Sequence, residues 1–73
     1  MNGYGVLLFH TTSSAFRAEK ILMQAGLAIR LFPTPRELSS DCGVACRFPW
    51  EQVELVRSLL ESEQVEIASI HHL

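Results

Sequence analysis

Two segments of helical periodicity, each entered from a short apolar run, most constrain what this chain can become. The first, "TTSSAFRAEKILMQAG" (11–26), spaces Ala15, Ala18, Leu22 and Ala25 at helical intervals with Ile21 beside them. It offers four hydroxyl residues where an N-cap is wanted and puts Gly26 where a C′ residue belongs. The second, "PWEQVELVRSLLES" (49–62), opens on a proline suited to a first helical turn and carries Glu51 near the positive end of the helix dipole. Its stripe is Trp50, Val53, Val56, Leu59 and Leu60.

Four strand-like runs surround these helices. "YGVLLFH" (4–10) is apolar and bounded by glycine and by the hydroxyl cluster, as a buried central strand is. "LAIRLF" (27–32) alternates Leu27, Ile29 and Leu31 against Ala28, Arg30 and Phe32, which suits a strand near a sheet edge, and Pro33 ends it. "VACRF" (44–48) sets Val44, Cys46 and Phe48 on one face. "VEIASI" (65–70) closes the order, leaving "HHL" as an exposed tail.

The order strand, helix, strand, strand, helix, strand predicts an α+β, ferredoxin-like βαββαβ sandwich. Both helices would cover one face of a four-stranded antiparallel sheet, in the spatial order fourth, first, third, second. At 73 residues the chain is read as a single domain, 1–73, with no linker or low-complexity segment.

An apolar share of 48% is high for this size, so part of the sheet is expected to find cover in a second copy, as a homodimer. No basic leader with a cleavage site precedes the first strand, and no apolar run approaches the roughly 18 residues of a membrane span. The expectation is a cytoplasmic protein without a membrane partner. A formal charge of −2 argues against nucleic acid, whose phosphates need a clustered cationic excess. The charge is uneven: Arg17, Lys20, Arg30, Arg36 and Arg47 face Glu19, Glu37 and Asp41 in the first part, whereas residues 51–66 hold five glutamates against Arg57 alone.

The chemistry concentrates in "PTPRELSSDCGVACRF" (33–48). In the predicted topology the first and third strands are antiparallel neighbours, so Cys42 falls beside His10 and the run Thr11 to Ser14 that opens the first helix. A helix start presents unpaired amides and a partial positive charge, which favour anions and activate a thiol. Arg36 and Arg47 would add to that field, and Gly43 would let the backbone turn tightly and leave approach to the sulfur open. The bland alternative is a small loop residue with no role.

Cys46 shares a face with Val44 and Phe48 and reads as core. A bridge from Cys42 to Cys46 is disfavoured, because four extended residues span about 13 Å against the roughly 4.4–6.8 Å between Cα atoms that a disulfide tolerates. Cys42, Cys46, His10, His71 and His72 lack the paired short spacings of a zinc site, so neither metal nor cofactor is expected. A Cys42–His10 hydrolase would need an orienting group and an oxyanion hole that the sequence does not supply. "TTSSAFR" lacks a glycine-rich phosphate loop, and capping explains its hydroxyls.

"LLFHTTSSAFRAEKIL" followed by "IRLFPTPRELSSDCGVACRF" resembles a small bacterial family described as selenium/sulfur carrier protein-like. The likeness runs from Tyr4 to about Ile70, with "PTPRELSSDCG" its most specific part. It implies that Cys42, the cysteine of the Cys-Gly pair, holds sulfur or selenium as a persulfide or perselenide. Pro35, Arg36, Ser39, Ser40 and Gly43 match the motif around that cysteine; His10, Thr11, Arg17 and Glu19 match the motif at the first strand and helix. Position 46 is usually aliphatic in the family pattern, in keeping with Cys46 as core.

On this reading Arg36, Ser39, Ser40, Gly43, His10, Thr11 and Thr12 surround the cargo, and the partners are sulfur or selenium donor and acceptor proteins. Whether the chain turns over as an enzyme is left open by its residues. The alternative is a non-catalytic protein-interaction or small-ligand regulatory module whose Cys-Gly loop is structural.

Overall fold

The computed structural model describes residues 3–38 and 42–73. Along the chain come β1 (Tyr4–Leu8), α1 (Thr12–Gln24), β2 (Arg30–Pro33), a 3-10 turn (Arg36–Leu38), β3 (Val44–Pro49), a second 3-10 turn (Trp50–Gln52), α2 (Val53–Ser62) and β4 (Ser69–His72). The sheet order is β2-β3-β1-β4 with every neighbouring pair antiparallel. This is the expected α+β, ferredoxin-like arrangement.

Both helices leave their last turn in the same way, and that exit sets where the next strand begins. After α1, Gly26 takes φ 82°, its amide bonds to the Met23 carbonyl, and Leu27 N–H donates to Leu22 O. After α2, Gln64 takes φ 60°, its amide bonds to Glu61 O, and Val65 N–H donates to Leu60 O. These are paired Schellman bonds, and they consume the residues that follow each helix. The strands expected from residues 27 and 65 start later, at Arg30 and Ser69.

One consequence corrects the reading of "HHL" as a tail. His71 and His72 belong to β4, where His71 lies opposite Val6 and His72 opposite Gly5. The His72 ring stacks on Trp50 at 4.0 Å between centroids and 4° between planes. Pro49 likewise closes β3 instead of opening a helix, and the Trp50 turn bridges into α2.

The main core fills the space between sheet and helices: Leu7, Phe9, Cys46 and Phe48 meet Ala15, Ala18, Leu22, Val56 and Leu60. Phe48 can lie flat against the sheet because its register partner is Gly5, and a Cβ there would fall inside the Phe48 ring. On the opposite face, Val6, Leu8 and Ala45 form a second buried cluster against Phe32, Leu38 and Ala68. Leu38 comes from the β2–β3 connection, so the chain covers the apolar centre of its own outer face. Arg17 joins the two helices by donating from Nη2 to the Glu63 carbonyl at 2.9 Å, where the negative end of α2 favours a cation.

Candidate functional site

The start of α1 and the end of the β2–β3 connection meet at one edge of the sheet. Thr11 is the N-cap: its backbone is extended and its Oγ1 accepts from Ser14 N–H at 3.1 Å. Ala15 N–H donates to the Thr11 carbonyl at 3.3 Å. Of the amides that open the helix, those of Ser14 and Ala15 are thus engaged within the helix itself. The opening of α1 is left to Thr12 and Ser13.

Cys42 stands against this first turn. Its Sγ lies 3.8 Å from Thr12 Oγ1 and 3.4 Å from the Val44 carbonyl, two acceptors for one thiol hydrogen. The residue is only 2% exposed and belongs to the main core cluster. The sequence reading pictured open access to the sulfur; here the side chain is turned inward, toward the helix layer. Gly43 is exposed, and a Cβ on it would meet nothing within 4 Å. Its φ is outside the left-handed region, so the tight turn expected there needs no glycine.

A residue the sequence reading missed holds the neck of this loop. Thr34 N–H donates to the Gly43 carbonyl at 3.1 Å, and Thr34 Oγ1 donates to the Cys42 carbonyl at 3.0 Å. These bonds extend the Pro33–Val44 pairing by one more step. The only sequence signal was a lone hydroxyl residue between two prolines, Pro33 and Pro35.

Other candidates are dispersed. His10 is exposed and faces Glu66, with Nε2 3.8 Å from Oε1. Arg36 is exposed on the 3-10 turn of the same connection as Cys42. Ser39 and Ser40 lie outside the described residues. Arg47, expected beside Cys42, sits three residues, about 10 Å, further along β3 than Val44 and on the opposite face. Its guanidinium carbon lies 4.2 Å from the centroid of the Tyr4 ring.

Cys46 is wholly buried, and burial pushes its thiol up from 9.0 to about 12, with the Glu19 carboxylate adding and a hydrogen bond from the Arg30 backbone opposing. No disulfide joins it to Cys42. Among the described residues, no three His, Cys, Asp or Glu side chains are grouped to hold a metal ion. No helix there is long and apolar enough to cross a membrane.

Fold and site together define a small ferredoxin-like α+β domain with a cysteine packed against the start of its first helix. The family described as "putative Se/S carrier protein-like" matches residues 4–72, and the chain belongs to it. No curated protein and no solved structure gives a significant match.

Proposed function

We propose that the protein carries sulfur or selenium on Cys42 and passes it between a donor and an acceptor protein. The observation that supports this most directly is the position of Cys42 Sγ, 3.8 Å from Thr12 Oγ1 at the first turn of α1, in a chain of the carrier-like family. In the loading step the Cys42 thiolate attacks the terminal sulfur of a donor persulfide. A bond forms from Cys42 Sγ to that sulfur, the donor's S–S bond breaks, and the donor leaves as a thiolate that takes up the proton Cys42 gave up. A thiol and a persulfide exchange places, so no outside oxidant or reductant enters. Delivery is the same exchange with an acceptor thiol, and a perselenide follows the same balance.

The roles of the neighbours follow from where they sit. Thr12 and the first amides of α1 would receive the bound anion, Arg36 would supply a cation from the same connection, and Gly43 would leave room for an incoming thiol. Ser39 and Ser40 are assigned to the cargo through the family motif alone. The sulfur of a cysteine that is 2% exposed cannot meet a second protein's sulfur without motion. Transfer therefore requires the Thr34 clamp to release, with the connection lifting at its neck.

The burial of Cys42 also favours a second reading, in which the thiol is core filler and the domain acts through its surfaces. One experiment decides between them. The protein is incubated with a low-molecular-weight persulfide, and intact mass is measured for the wild type, Cys42→Ser and Cys46→Ser. A carrier gains one sulfur atom, loses that gain with Cys42→Ser and keeps it with Cys46→Ser. No gain on the folded wild type sinks the carrier reading.

A further inference from the structure

Away from the thiol, the outer face of the sheet carries an arrangement that neither the core nor the carrier reading uses. The register sets Arg30 of β2 directly opposite Arg47 of β3, so two arginines rise from neighbouring strands on the same face. Like charges placed across a strand pair are destabilising. Among the described residues no carboxylate pairs with either arginine: the ion pairs there are His10–Glu66 and Arg57–Glu54. The four strands contain no Asp or Glu at all. Beyond Val6, which pairs with Arg47 on one side and His71 on the other, the same row ends in an imidazole.

The pair is also shaped. Arg47 lies over the Tyr4 ring at 4.2 Å, a cation-π contact that gives its guanidinium an aromatic support. Around it is a cleft of about 450 Å³ lined by Tyr4, Ala28, Ile29, Arg30, Arg47 and Pro49. Planar guanidinium forks match the two oxygens of a carboxylate, and the apolar walls suit the methylene stems of glutamate side chains.

We propose that this cleft is a carboxylate-binding site through which the outer face docks an acidic segment of a partner protein. Charge complementarity selects the occupant. The cationic patch is two arginines wide in a domain of net charge −2, whose residues 51–66 carry five glutamates. That fits a few carboxylates and repels a long polyphosphate. The proposal does not depend on any chemistry at Cys42.

The test uses the full chain and a short, end-blocked glutamate-rich peptide, followed by amide chemical shifts at low salt. Shifts centred on Tyr4, Arg30 and Arg47 support the site. So does a loss of about tenfold or more in affinity for Arg30→Gln/Arg47→Gln, with Arg57→Gln unaffected. Arg30→Lys/Arg47→Lys keeps the charge and loses the fork, and is expected to bind between the two. If the glutamine double variant fails to fold, the wild-type shift map decides alone. The proposal is overturned by no binding, by shifts centred on the start of α1, or by single-stranded RNA outcompeting the peptide. Sedimentation showing that the arginine pair instead mediates self-association overturns it as well.

Discussion

The contact between Gly5 and Phe48 is the tightest test of packing at a single position. Gly5→Ala would push a methyl group into the Phe48 ring, and overpacking of this kind costs about 1–3 kcal/mol. Urea denaturation should show that loss, and Phe48→Leu in the same chain should recover part of it. Cys46 makes a pH prediction. Its folded-state value of about 12 stands above the ordinary 9.0, so between those values the folded chain keeps a proton that the unfolded chain releases. Its contribution is therefore intact below about pH 9 and declines as pH rises toward about 12. Cys46→Ala should flatten that alkaline decline in urea midpoints measured across the window. Period-two alternation made Cys46 legible as a core residue; the burial of Cys42 was not legible, because no spacing tells which way a loop side chain turns.

At the level of elements, two helix exits and one clamp carry the consequences. Gln64 occupies a left-handed position that Gly26 fills at the other exit. Gln64→Gly should therefore raise stability by about 1 kcal/mol, whereas Gly26→Ala should lower it by a similar amount, both read from denaturation midpoints. The strands after these exits were legible as strands but not in their starting points, since hydrophobic periodicity gives no sign that the Leu27 and Val65 amides turn back to bond their helices. Thr34 and Leu38 fasten the β2–β3 connection from two sides, one at its neck and one against the outer cluster. Thr34→Val and Leu38→Ala should each speed alkylation of Cys42 by iodoacetamide relative to the wild type, with Cys46 unchanged. Equal rates in all three proteins would mean that the sulfur is reached without release of the clamp.

Across the whole molecule, the order of elements was readable because two helical stripes and four short apolar runs leave few ways to build a two-layer domain. Self-coverage of the outer face was hidden, since it depends on Leu38 crossing to a face its own sequence neighbours do not mark. The homodimer expected from apolar content gains a measurable rival in this arrangement. Val6, Leu8 and Ala45 are already buried within one chain, so the melting temperature should not change with protein concentration. A rise on concentrating the protein would point to a second copy completing the fold. Trp50 is the only indole in the chain, and it lies flat on the ring of the residue that ends β4. Its ultraviolet emission is thus a label-free gauge of whether the last strand is seated, and fraying at the carboxyl-terminal edge can be timed separately from collapse of the interior.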